Sequence, residues 1–170
     1  MISRIESSVF VVGPQDIDEL EHVNNRVYLR WMEQAARAAS AAAGWGSERY
    51  FHDGDGVWVA REHWVEYLRP CKLGETITVY TWVEGFSGCA SLRRYAMKNA
   101  VGKLCCVAAT EWNYVNLKTR RAEEIPASLA ACFEIIDPDD ARLKDLGITR
   151  RVRFAPSRGL LREAAAGAVP

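Results

Sequence analysis

The chain carries no excess of charge of either sign. Its 170 residues include 22 Lys+Arg and 22 Asp+Glu, a formal charge of zero at pH 7, with pI near 6.8. A neutral surface is poorly matched to a phosphate backbone, so no nucleic-acid partner is expected. Zero charge also removes the repulsion that keeps copies apart, so self-association is expected. Long apolar runs are missing. None approaches the ~18 residues of a membrane span. The run Val9-Phe10-Val11-Val12 is too short for the core of a signal peptide. A cytoplasmic protein with no membrane partner is therefore expected. The five cysteines are Cys71, Cys89, Cys105, Cys106 and Cys132. Their number is odd, two are adjacent and no C-x-x-C pair occurs, so neither a disulfide framework nor a zinc site follows. Buried thiols in a reducing compartment fit that pattern. The three histidines, His22, His52 and His63, lack metal-ligand spacing. G-x-S-x-G and a phosphate-cradling glycine loop are also missing, as are internal repeats. No metal and no cofactor are expected.

What remains is ordinary globular material, 49% hydrophobic and 26% charged, enough for one domain with a sizeable core. Residues 5–12 read as a first strand, stopped by Gly13-Pro14. A polar stretch leads to a helix in which Tyr28, Trp31, Met32, Ala35, Ala39 and Ala42 recur at spacings of three and four. Arg30, Glu33, Gln34, Arg37 and Ser40 form its polar stripe. Asn24 or Asn25 caps its start, and Gly44-Trp45-Gly46 ends it. Seven of the nine residues from Ala35 to Ala43 are alanine. Alanine favours helix and lets another backbone come close, as a helix wrapped by a curved sheet requires.

From Gly56 onward the texture is strand. Residues 57–68 alternate, with Val57, Val59, Arg61, His63, Val65 and Tyr67 on one face. Residues 76–84, 91–98 and 104–115 follow, with a turn expected at 85–88. Their short connections imply an antiparallel meander. Pro126 opens a short helix, and Asp137-Pro138 another. One long helix against about five antiparallel strands is an α+β domain. The domain is expected to span residues 1–136, with 137–170 a C-terminal extension. That extension carries Arg150, Arg151, Arg153, Arg158 and Arg162 and no acid from Leu146 to Arg162. Such a run is either solvated or a contact for a polyanion such as the phosphates of coenzyme A.

The densest polar cluster, residues 16–25, lies directly before the long helix. Asp and Asn collect in such loops for turn geometry alone. A functional reading also exists. A helix start offers unpaired N–H groups and partial positive charge, which stabilise an oxyanion. A carboxylate just upstream can attack a carbonyl or activate water there. These are the parts for acyl transfer.

Asp16-Ile17-Asp18, then His22-Val23-Asn24-Asn25 and Tyr28, resembles the signature of hotdog-fold acyl thioesterases. Both the 4-hydroxybenzoyl-CoA thioesterase type and the acyl-carrier-protein thioesterases are similar. Glu66-Tyr67-Leu68-Arg69-Pro70 with Leu73-Gly74-Glu75 is a second match, and the likeness covers residues 5–135. It implies the hotdog fold, a curved antiparallel sheet of about five strands around one Ala-rich helix. It implies Asp18 as the catalytic carboxylate, general base or nucleophile, with His22 shaping the site and the Asn25 backbone N–H as oxyanion donor. It further implies Asn24, Tyr28 and Arg69 as substrate-binding positions. Glu21 stands where many relatives have Gly, a residue suited to positive φ or to a close approach of substrate. The implied reaction is hydrolysis of an acyl-CoA, or of an acyl carrier protein thioester, in a dimer or dimer of dimers whose sites lie at subunit interfaces. The rivals are an enoyl-thioester hydratase, whose Asn-Pro pair is missing here, and a non-catalytic acyl-CoA-binding module. His63 and Glu62 are weaker candidates, and the six tryptophans are candidate walls of an acyl tunnel.

Overall fold

The computed structural model describes residues 2–52 and 54–152. Strand β1 (Glu6–Val11) runs into a single 3-10 turn (Pro14–Asp16), and α1 (Asn25–Ala42) follows. A short helix α2 (Ser47–His52) precedes β2 (Gly56–Tyr67), β3 (Thr76–Ser87), β4 (Ala90–Asn99) and β5 (Leu104–Asn116). Two short helices close the described chain, α3 (Ala127–Ala130) and α4 (Ala141–Asp145). The five strands form one antiparallel sheet in the order β1-β3-β4-β5-β2. The expected α+β hotdog architecture is therefore what the chain adopts, and β3 to β5 are the expected meander. The link from β2 to β3 crosses the sheet from the β2 edge to the strand beside β1, leaving β1 and β2 as the two edges.

Helix α1 lies on one face of the sheet. Val27, Tyr28, Trp31, Met32, Ala35, Ala36, Ala39 and Ser40 are buried, a stripe of the kind that period 3.6 produces. Ile77 and Val79 of β3, Tyr95 and Met97 of β4 and Cys106 and Ala108 of β5 share its first core cluster. Two expectations for the helix change. Ala42 is exposed and Ser40 buried, because Ser40 Oγ lies 2.8 Å from the Tyr50 hydroxyl on α2. The sequence pattern did not foresee α2: six residues are too few for a periodicity to register.

Two β-bulges alter the expected strands. One lies between Val83 and Gly85, so β3 runs on through the stretch expected to turn and reverses only after Ser87. The other lies between Ala60 and Glu62. One extra residue there inverts the alternation, and Trp58 and Val65, expected on opposite faces, both pack toward the helix side. The outer face of the sheet is covered as well. Trp82, Ala96 and Val107 pack with Ile136, Leu143 and Ile148, so residues 137–152 lie against the sheet. Arg150 pairs with Glu66, and Arg151 with Asp139. The other arginines of that run, Arg153, Arg158 and Arg162, lie outside the described residues.

Candidate active site

The loop between β1 and α1 is pinned by a buried carboxylate. Asp16 is 2% exposed. Its Oδ2 accepts the Gly13 N–H at 3.0 Å and its Oδ1 accepts Arg30 Nη2 at 2.6 Å. Its carbonyl accepts the Asn24 N–H at 2.8 Å. Asp16 thus ties the loop to both ends and to the helix, a structural role.

Two residues on, the chain turns back on itself. The Asp18 N–H donates to the His22 carbonyl at 3.1 Å, and the Glu21 N–H to the Asp18 carbonyl at 3.0 Å. Asp18 Oδ1 accepts the Leu20 N–H at 2.9 Å, an Asx-type turn that fixes the carboxylate. Glu21 sits at φ 59°, the left-handed conformation that glycine adopts without strain. The tight turn demands that φ whatever residue occupies it.

His22 Nδ1 lies 3.8 Å from Asp18 Oδ1, close enough to feel its charge and too far for a hydrogen bond. Both side chains are partly open, 34% and 21% exposed. Asn24 is the N-cap of α1, its side chain accepting the Arg26 N–H at 3.1 Å. The Val27 N–H donates to the Asn24 carbonyl. Among the described residues the Asn25 N–H has no acceptor, as expected of a first-turn donor. The Tyr67 hydroxyl donates to the Asn25 carbonyl at 3.3 Å and so ties the end of β2 to the helix start.

Asp18 and His22 therefore meet in the loop that leads into α1, and Asn24 and Asn25 form the start of that helix. Tyr28 and Arg69 take other positions. Tyr28, expected to touch substrate, is 2% exposed, edge-on to Trp31 and Tyr67 with centroids at 5.4 and 5.0 Å. Burial drives its phenol far above the ordinary range, and the Cys71 side chain is its hydrogen-bond partner. It is a core residue because helical period turns it inward one turn after Asn24. Arg69 is exposed beyond β2, its N–H donating to the Cys105 carbonyl.

A second feature lies at the far end of α1. A cavity of about 180 Å³ opens between α1, α2 and the sheet, walled by Trp45, Tyr50, Trp58, Phe86, Trp112 and Phe133. Three of the six tryptophans thus line a cavity, while Trp31, Trp64 and Trp82 pack elsewhere. The Tyr50 hydroxyl, bonded to Ser40, also accepts Trp58 Nε1–H at 2.9 Å. The sequence reading did not single out Arg93, which reaches this cavity from β4. The signal was available: Ser91, Arg93, Tyr95 and Met97 alternate on one face of β4, so an arginine stands in a core-facing row. His63 faces Thr110, Nδ1 to Oγ1 at 2.8 Å. Burial lowers its pKa below 6.5, against the raising influence of Glu33. Among the described residues no cluster of His, Cys, Asp and Glu is arranged to hold a metal ion, and no helix is long and apolar enough to cross a membrane.

The family model described as the thioesterase-like superfamily matches residues 12–133. An acyl-[acyl-carrier-protein] hydrolase of Cuphea viscosissima is 25% identical over 147 residues, 81% of this chain and 35% of that protein. The chain thus spans about a third of the length of the curated relatives it matches. An acyl-ACP thioesterase from Bacteroides thetaiotaomicron superposes with TM-score 0.73 at 22% identity, over 91% of this chain and 58% of that one. A Staphylococcus aureus protein solved in complex with CoA gives TM-score 0.70 at 15% identity, over 92% of both chains. At these identities the structural likenesses establish a shared fold.

Proposed function

The chain belongs to the thioesterase-like superfamily, and we propose that it hydrolyses an acyl-CoA thioester to the free acid and CoA. The observation that carries the reading is a turn-fixed Asp18 carboxylate in the loop that leads into α1, at whose first turn the Asn25 N–H has no acceptor among the described residues. In the proposed reaction the thioester carbonyl oxygen points at that N–H. As the carbonyl carbon is attacked, the oxygen gains negative charge, and a donor already in place stabilises it without reorganisation. Asp18 either takes a proton from the attacking water, or attacks the carbonyl itself to form an acyl-aspartyl anhydride that water then hydrolyses. The C–S bond breaks as the tetrahedral adduct collapses, and CoA leaves as its thiolate and takes up the proton that water gives up. His22 shapes the wall beside the carboxylate. The steps draw on water and side chains alone. An acyl carrier protein thioester is the second substrate class, named by two of the relatives; its reacting atoms are the same.

The site is proposed to need two copies of the chain. From Asn25 to Ser40 the helix rises roughly 22 Å, so the helix mouth and the aromatic cavity of one protomer lie far apart. Antiparallel pairing of the free β2 edge with its own copy sets the Tyr67 end of one strand beside the Val57 end of the other. That arrangement brings the Asp18 loop of one chain to the cavity of its partner.

The test is thiol release from a panel of CoA thioesters, in wild type and Asp18→Asn. We expect kcat to fall by about 10² to 10⁴, roughly 3–5 kcal/mol of barrier, with KM nearly unchanged because the lost interaction belongs to the transition state. Asn25→Ala should cost much less, since it keeps the backbone donor. A folded Asp18→Asn protein with wild-type turnover removes Asp18 from the mechanism.

A further inference from the structure

Strand β4 carries two adjacent arginines, and both are buried. Arg93 is 6% exposed and Arg94 8%. Alternation sends them to opposite faces of the sheet. On the outer face Arg94 Nη1 meets Glu84 Oε2 at 2.9 Å, so one buried cation has its carboxylate. On the helix face Arg93 has none among the described residues. Its Nη1 donates to Thr81 Oγ1 at 3.3 Å, and its guanidinium lies 5.6 Å from the centroid of the Phe133 ring. Glu6 is the one carboxylate whose charge acts on it, and among the described residues no ion pair within 4 Å joins the two.

A buried, unpaired cation is costly, and proteins pair such charges or leave them facing a ligand. Burial here holds the Arg93 pKa below its usual value, as expected of a cation short of a partner. The side chain borders the aromatic cavity between α1, α2 and the sheet. Walls of Trp, Tyr and Phe take an apolar body. Arg37 also lines the cavity but is paired with Glu33 at 2.7 Å, so the Arg93 guanidinium is the one left to take a planar anion in a two-pronged hydrogen bond. A carboxylate matches it charge for charge, whereas a phosphate group carries nearly two charges. Trp45, which lines the same cavity, has an Nε1–H without an acceptor among the described residues.

We propose that this cavity receives an acyl group tipped with a carboxylate, and that Arg93 is the residue that selects it. The substrate class is then an ω-carboxyacyl thioester, a dicarboxylic acid joined to its carrier at one end. The inference rests on the thioester-hydrolase reading for its substrate and on Arg93 alone for its anion.

Two measurements separate those parts. In calorimetry on the 170-residue wild-type chain, octanoate is expected to bind at least about tenfold more tightly than 1-octanol, the margin of a charge-assisted hydrogen bond, with the difference lost in Arg93→Met. Equal binding of the two by wild type overturns the proposal and needs no variant. In thiol-release kinetics, wild type is expected to favour suberyl-CoA over octanoyl-CoA by at least about tenfold in kcat/KM, with Arg93→Met reversing the order. If wild type hydrolyses both equally, the selectivity is refuted while the hydrolase reading stands. If it hydrolyses neither yet still discriminates octanoate from octanol, the anion site stands and the hydrolase reading falls.

Discussion

Glu21 shows how a single residue can be held by its neighbours. Its N–H bonds back to the Asp18 carbonyl, and that closure forces φ to 59°. A side chain in the left-handed region costs about 1 kcal/mol, and glycine avoids that cost at some loss of unfolded-state entropy. Glu21→Gly should therefore leave the loop in place and raise the midpoint of thermal unfolding, by an amount worth up to ~1 kcal/mol. A lowered midpoint would mean that the Glu21 side chain, not the turn, secures the loop. His63 supplies a second test at this scale. Burial holds its pKa below 6.5 in the folded chain. As pH falls, the unfolded chain takes up the proton first. The stability tied to neutral His63 is thus present above about 6.5 and lost as pH falls through the lower folded value. Between pH 7 and 5 the urea midpoint of wild type should drop more than that of His63→Gln. Parallel curves for the two proteins would assign the drop to other groups.

Among the elements, α1 depends most on residue size. Ala35 and Ala39 are each 1% exposed on the face toward the sheet, where the backbone of the helix comes close. Ala39→Leu forces three extra carbons into that contact and should cost about 1–3 kcal/mol. Ala38→Leu, on the exposed side of the same turn, should stay within about ±0.5 kcal/mol. Urea unfolding of the pair decides it, and equal costs would show that the small residues serve helix propensity rather than packing. The bulge in β2 acts at the same scale. By inverting the alternation after Ala60 it sends Trp58 to the cavity and keeps Val65 on the core.

For the whole molecule, the two free edges of the sheet and the zero net charge act together. An exposed strand edge is ordinarily covered, charged or paired, and β2 ends its sheet with Val59 and Tyr67 exposed. A symmetric dimer through that edge is expected. Light scattering at micromolar concentration should report twice the chain mass or a multiple of it. A monomer with full thioesterase activity would rule out the shared site. The extension belongs to the same scale: Leu143 and Ile148 bury themselves on the outer face of the sheet, so residues 137–152 cover a surface that would otherwise be apolar and open.

The sequence by itself determined what local patterns can encode. Spacings of three and four placed α1, alternation placed the strands, and short turns made β3 to β5 a meander. The run from Asp16 to Asn25 marked the helix mouth, because turn formation and capping are short-range events written in neighbouring residues. Glu21 stood out only through the resemblance, which left positive φ and a close approach of substrate as alternatives, and the turn decided for the first. Only the tertiary structure decided the rest. Ser40 is buried because Tyr50 arrives from a helix too short to show a period. Tyr28 is a core residue because Trp31, Tyr67 and Cys71 close around it. The faces of β2 depend on a bulge whose extra residue has no signature in the sequence. Arg93 and Arg94 are identical neighbours in the chain, and only the fold gives one a carboxylate and the other an aromatic cavity. Burial and charge pairing are set by residues distant in sequence, so no local pattern carries them.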